Sequence, residues 1–213
     1  VKATTRPGKY IVIEGIDGSG KTTQRDILME RLASLGIDVE TVREPAGDAV
    51  GRAVRKILLD PQYQIDARTE VLLFNAARSG LMKRIQELTA RGTWVVADRN
   101  FLSTIAYQGY GRREGVGVDE IRTICDFAVA GTHLDLAIIL DGPPPAFARR
   151  KEKRGSADRI DVLGTDFFDR ARHGYLAEAK LRSLPVVDAT GSVDATAGLI
   201  WEQVAARLGL ARG

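Results

Sequence analysis

The chain has 213 residues, 44% of them hydrophobic, which is enough to fill the core of one sizeable α/β domain. The net charge of +3 suits anionic ligands and is too weak to argue for a nucleic-acid surface. A single cysteine, Cys125, excludes an internal disulfide and a thiolate metal cluster, and no apolar run reaches the length of a membrane span.

Residues 1–9 are polar and lack a signal-peptide core, so the expectation is a soluble cytoplasmic protein without membrane or nucleic-acid partners. Tyr10-Ile11-Val12-Ile13 predicts a short buried strand. It leads into Gly15-Ile16-Asp17-Gly18-Ser19-Gly20-Lys21-Thr22, which fits the phosphate-binding pattern G-x-x-x-x-G-K-[ST]. From 23 to 35, starting at Thr23, Ile27, Leu28, Leu32 and Leu35 recur at helical spacing, and Gly36 can cap the end. The loop therefore lies between a strand and a helix N-terminus. There, inward-turned N–H groups and the helix dipole favour phosphate. Lys21 is expected to reach the β/γ-phosphates and the Thr22 hydroxyl to hold Mg²⁺.

Residues 37–42 alternate polar and apolar and read as a second strand. It runs into the charged turn Arg43-Glu44-Pro45-Ala46-Gly47-Asp48, at the end of the strand where open α/β sheets bind ligands. Ala49–Leu59 is a short amphipathic helix, stopped near Asp60-Pro61, and 61–66 is a loop. Residues 67–91 read as one long helix closed by Gly92. In it Phe74 and Arg78 share a face, a pair that by itself reads as core packing plus a surface charge. Residues 93–97 are a third strand, with Asp98-Arg99 at its C-terminal edge. A carboxylate there can orient Mg²⁺ or its waters, and the planar fork of an arginine can hold a phosphoryl group. Residues 101–108 form a helical turn carrying Ser103, Thr104, Tyr107 and Gln108, and 110–117 read as a flexible loop.

Residues 118–130 are a further helix, in which Cys125 shares a face with Ile121, Ile124 and Ala128 and reads as a small core residue. Residues 134–140 are a continuous apolar strand, as a buried parallel strand should be. It ends at Asp141, a second candidate for the metal carboxylate. Asp98 is preferred because Arg99 stands beside it. Pro143-Pro144-Pro145 permits a new helix start. The densest basic stretch, 149–161, breaks at Gly155-Ser156 and reads as a lid that brings arginines over a nucleotide. Residues 166–181 are helical, 184–187 a fifth strand, and Val193–Leu208 the last helix. Strands alternate with helices throughout, predicting an α/β fold: one domain with a doubly wound, five-stranded parallel sheet flanked by helices. His133 and His173 lie near no nucleophile and read as surface or helix-end residues.

Ile13-Glu14-Gly15 into Gly20-Lys21-Thr22-Thr23, then Arg43-Glu44-Pro45, Asp98-Arg99, Ala106-Tyr107-Gln108-Gly109, and Arg154-Gly155 with Asp158-Arg159-Ile160, together resemble the bacterial thymidylate kinases. The likeness covers nearly the whole chain, in order. It implies the nucleoside monophosphate kinase fold of the P-loop proteins, transfer of the γ-phosphoryl of ATP to dTMP with Mg²⁺, and a homodimer. By position it implies that Gly15–Thr23 hold ATP, with Thr22 and Asp98 on the metal. Asp17 is the P-loop acid, and Arg43, Glu44 and Pro45 lie over the acceptor. Phe74 stacks on the base and Arg78 reads its O4. Arg99 grips the acceptor phosphate, and Thr104, Tyr107 and Gln108 surround the base and sugar. Lys21, Arg99 and a lid arginine, Arg149 or Arg154, carry the transferred charge.

Three departures stand out. Arg-Glu-Pro-Gly-Gly-Thr of the family is Arg43-Glu44-Pro45-Ala46-Gly47-Asp48 here. Asn100 replaces the usual Tyr or His, and Ala157 stands where an acidic residue often precedes the lid aspartate. The first two fall near the acceptor, so a 5-substituted dUMP is an alternative substrate. A deoxynucleoside kinase is another alternative, and would need a carboxylate base, Glu14 or Glu44. A GTP switch would need Asn-Lys-x-Asp, which is absent from the sequence. A non-catalytic homologue has only Asp48 and Asn100 in its favour.

Overall fold

The computed structural model describes residues 7–112, 115–152, 159–160 and 163–210, without the side chains of 149, 151 and 152. Five strands form one all-parallel sheet: β1 (Tyr10–Gly15), β2 (Val39–Arg43), β3 (Trp94–Asp98), β4 (Leu136–Asp141) and β5 (Val186–Asp188), in spatial order β2-β3-β1-β4-β5. The central strands are buried on both faces, which is why Ile11-Val12-Ile13, Val95-Val96-Ala97 and Ala137-Ile138-Ile139-Leu140 are unbroken apolar runs rather than alternating ones. Helices α1 (Lys21–Ser34) and α8 (Val193–Leu208) pack on each other along one side of the sheet. The long helix α3 (Ala67–Ala90) packs on β3, α2 (Ala49–Leu59) and α5 (Val118–Val129), while α7 (Thr165–Arg182) lies on β4. Two shorter helices, α4 (Phe101–Thr104) and α6 (Pro144–Glu152), start just beyond the C-terminal ends of β3 and β4.

Element types follow the sequence reading, and the departures are local. Helix α1 begins at Lys21 rather than Thr23, so Lys21 and Thr22 stand on its first turn and Thr23 is exposed beside them. Residues 101–108, expected as one helical turn, divide into α4 and a π-helix over Ile105–Gly111, which takes in the start of the expected loop. This segment packs closely against α7. A Cβ on Gly111 would lie 2.7 Å from the Phe167 ring, and one on Gly174 would lie 2.8 Å from the Tyr110 ring. The wider helix seats Tyr107 edge-on among Phe167, Phe168 and Tyr175, with ring centroids 5.7, 6.3 and 6.2 Å away.

Asp48 has its carboxylate engaged by the backbone. Its side chain is the N-cap of α2, accepting from Gly51 N at 2.6 Å, a task that a threonine also performs. Asp48→Ala is expected to cost about 1 kcal/mol of stability, readable as a shift of the urea midpoint.

Candidate functional site

Everything that converges on the site lies at the C-terminal ends of β1, β3 and β2. Gly15, the last residue of β1, has φ 144°. A Cβ there would come within 2.5 Å of the Leu140 carbonyl, so the loop can turn over β4 only with glycine. Gly20 precedes α1 with φ 93°, which leaves the first turn of that helix facing the loop. Lys21 is 3% exposed and donates to the carbonyls of Gly15 and Ile16, both at 2.9 Å. Burial, then the nearby Arg99 guanidinium, pull its ammonium pKa down to about 8.

Thr22 donates its hydroxyl to Asp98 Oδ2 at 2.6 Å. Burial opposes ionisation of Asp98, but Lys21, Arg99, Thr22 and Arg43 outweigh it and hold the carboxyl below its usual range. Its other oxygen, Oδ1, is buried with no hydrogen-bond partner among the described residues. A hydroxyl and a carboxylate side by side, with one carboxylate oxygen unpartnered among the described residues, are the hard donors that Mg²⁺ takes alongside phosphate oxygens and water. Among the described residues no cluster of three or more His, Cys, Asp or Glu is placed to hold a metal by itself. Asp141, the other candidate carboxylate, is engaged by Arg172 in a two-point pair at 2.7 and 2.9 Å.

Arg99 follows Asp98 with φ 76°, a left-handed conformation that costs a non-glycine residue free energy. Its guanidinium reaches Asp17 at 2.5 Å, Ser103 Oγ at 2.9 Å, and the hydroxyls of Tyr107 and Tyr175 at 3.3 Å. Tyr107 in turn donates to Asp17 at 3.0 Å, and burial keeps its phenol protonated far above its ordinary range. Thr22 with Asp98, Arg99 with Asp17 and Tyr107, and Lys21 on the loop carbonyls thus gather at one loop, with Lys21 and Arg99 acting electrostatically on Asp98.

A second group lies beside it. Arg78, on its own a surface charge by spacing, is instead 1% exposed, so that reading is corrected. It faces inward because α3 packs over the ends of β2 and β3, where Glu44 is buried too. Its nitrogens donate to Glu44 at 2.9 Å, Asn75 at 2.5 Å, Asn100 O at 3.2 Å and Thr104 Oγ1 at 2.8 Å, with Cys125 Sγ at 3.8 Å. Phe74 is half-buried against Val54, Leu58 and Ala77. Pro45 is buried behind a cis bond to Glu44, and Arg43 is exposed with Nε 3.9 Å from Asp98. Gln108 is 1% exposed and donates to Glu70, a carboxylate shared with Arg112 and Arg159. Arg154 and the Arg149 side chain, with most of the expected lid, lie outside the described residues.

Sequence reasoning gave Glu14 a part only as the base of a deoxynucleoside kinase. That part and the similar one for Glu44 are corrected. Glu14 is fully buried beneath the loop, ringed by donors from Asn100, Ser103 and Tyr175, and Glu44 is locked to Arg78. Neither opens onto an acceptor hydroxyl. Ser103 and Tyr175 were absent from the expected site. The available signal was Glu14 itself, a charge inside an otherwise apolar strand, which must find buried partners.

The model of a family described as thymidylate kinase matches residues 13–200. A thymidylate kinase of Carboxydothermus hydrogenoformans is 38% identical over 182 residues, covering 85% of this chain and 89% of that protein.

Proposed function

The chain belongs to the thymidylate kinase family and is a dTMP kinase; we propose that ATP is its phosphoryl donor, that Mg²⁺ assists, and that the two groups at the strand tips divide the work. The observation that carries this is the cluster of Lys21, Thr22, Asp98, Arg99 and Asp17 within hydrogen-bond reach of one phosphate-binding loop. The loop N–H groups and the N-terminus of α1 receive the β- and γ-phosphates, and Lys21 leaves the Gly15 and Ile16 carbonyls to join them. Thr22 and Asp98 would hold Mg²⁺, which when bound draws charge from the phosphate oxygens. Arg99 exchanges part of its hold on Asp17 for the acceptor phosphate and keeps its oxygen in line with the γ-phosphorus. No residue is needed as a base, since that oxygen is already anionic.

On the acceptor side, Phe74 supplies a ring face for the base. Arg78, whose N–H groups are given to Glu44, Asn75, Asn100 O and Thr104, would turn one of them to the base, and Thr104, whose oxygen accepts from Arg78, donates to no group among the described residues. Donors at that edge suit a 4-oxo pyrimidine and oppose a 4-amino one. Tyr107 crowds the sugar. A cytoplasmic location and a homodimer accord with this reading, as does a lid arginine, Arg149 or Arg154, closing over the transferred group.

The test is a pH profile. Because Lys21 ionises near 8 in the free enzyme and must be charged to hold phosphate, kcat/KM for ATP is expected to fall as pH rises through about 8. Bound ATP returns negative charge to Lys21 and raises its pKa, so kcat should hold to higher pH. Coincident declines would place Lys21 outside the nucleotide site, and no decline below pH 10 would mean that burial does not lower its pKa there.

A further inference from the structure

We propose that Glu14 is a positioning residue whose buried carboxylate holds Arg99 in its left-handed conformation and aims its guanidinium at the acceptor phosphate. This rests on the reading above that Arg99 grips that phosphate. The geometry has two parts. The first is a backbone anchor. Glu14 Oε1 accepts from Asn100 N at 2.7 Å and from Ser103 N at 3.2 Å. Both N–H groups lie at the start of α4, where Ser103 N also donates to Asn100 O at 3.1 Å, and Asn100 N belongs to the peptide directly after Arg99. On the other side Arg99 N donates to Ile13 O at 3.3 Å. The strained residue is therefore held at both of its peptide bonds by adjacent residues of β1, Ile13 through its carbonyl and Glu14 through its side chain.

The second part is a layer of hydroxyls. Ser103 Oγ and Tyr175 OH each lie 2.8 Å from Glu14 Oε2 and 2.7 Å from each other. Arg99 Nη1 donates into the same pair, at 2.9 Å to Ser103 and 3.3 Å to Tyr175. An acceptor-only carboxylate beneath them turns the hydroxyl protons downward, so that their lone pairs face the guanidinium. Asp17 holds the opposite side of Arg99, and Tyr107 stacks beneath it with the guanidinium carbon 5.0 Å from the ring centre. Glu14 itself is 0% exposed, so it touches neither substrate and acts only through Arg99.

Glu14→Gln keeps an oxygen for the two N–H groups but sets an NH₂ against the hydroxyls. Their protons must turn away, and the buried charge that complements Arg99 is lost. Displacement titrations of dTMP and of thymidine read the consequence, because only dTMP carries the phosphate. The expected result is a loss of about tenfold in dTMP affinity with thymidine changed by less than about twofold, as suits residues coupled in one network. In an Arg99→Ala background, Glu14→Gln should remove no further dTMP affinity. Equal losses for both ligands, or additive losses in the double variant, would overturn the proposal and make Glu14 a general structural residue. Should Glu14→Gln fail to fold, Ser103→Ala carries the same test, since it removes the hydroxyl and keeps the backbone anchor. A wild-type protein that binds dTMP no more tightly than thymidine would instead overturn the role of Arg99, and this proposal with it.

Discussion

Lys21→Ala is expected to lower kcat by about 10²–10³-fold, the usual cost of removing one preorganised charge from a developing anion. The fold should survive. Burial lowers the Lys21 pKa, so the charge sits there at a cost, and its partners are two loop carbonyls that water can reach once the side chain is shortened. Thermal unfolding should therefore move by no more than a few degrees while ADP release collapses. Lys21→Arg should not restore the rate, because a planar fork cannot make the compact contact of an ammonium in the same space. A Lys21→Ala enzyme with near wild-type kcat would remove the loop from the chemistry.

Arg78→Ala should act in the opposite sense, on stability before rate. Arg78 and Glu44 are 1% and 4% exposed, and the pair lies at 2.8 Å. Glu44 Oε1 has no partner among the described residues, and burial already pushes its carboxyl up. Removing the arginine strands that carboxylate, so the expected cost is about 3–5 kcal/mol. For a chain of this size that corresponds to roughly 6–20 °C in Tm. Lowering the pH should narrow the deficit, since the stranded Glu44 can take a proton. Glu44→Gln still accepts from Arg78 but removes its buried counter-charge, so it should also be destabilising, and without the relief at low pH, because the arginine cannot lose its proton. Calorimetry on the two variants checks this; equal and small shifts would mean that the pair adds nothing to the packing of α3 on the strand tips.

What the sequence disclosed was mostly what local pattern can encode. The apolar runs of β1, β3 and β4, the loop of Gly15 to Thr22 and the Asp98-Arg99 pair at a strand end each carry their own signal within a few residues. Contacts between distant segments carried none. Arg78 read as a surface charge although it shares a face with Phe74, because arginine is seldom fully buried unless paired and its partners Glu44, Asn100 and Thr104 lie 22 to 34 residues away. Tyr175 lies in the stretch 166–181, which reads as a helix; its hydroxyl meets Glu14 because α7 folds back from 161 residues away. The π-helix over Ile105–Gly111 packs closely on α7 at Gly111 and Gly174, a contact between segments that no local pattern encodes.

Asp48 and Asn100 cast doubt on the acceptor when read as charges and side chains near a substrate. In the fold both are helix caps. Asp48 starts α2, and Asn100 starts α4 by accepting from Leu102 N at 2.8 Å. Neither departure alters the loop, Asp98 or Arg99, and this is why a degenerate, non-catalytic reading loses its only support.

The central claim is that two phosphorylated nucleotides meet end to end over the strand tips, with Arg99 on the acceptor phosphate and Arg78 with Thr104 at the base. ADP release from ATP and Mg²⁺, measured in parallel with dTMP, dCMP and thymidine as acceptors, tests it most directly. Rapid release with dTMP and little with the other two is the predicted outcome. Release with thymidine equal to that with dTMP, or none with dTMP, would contradict it.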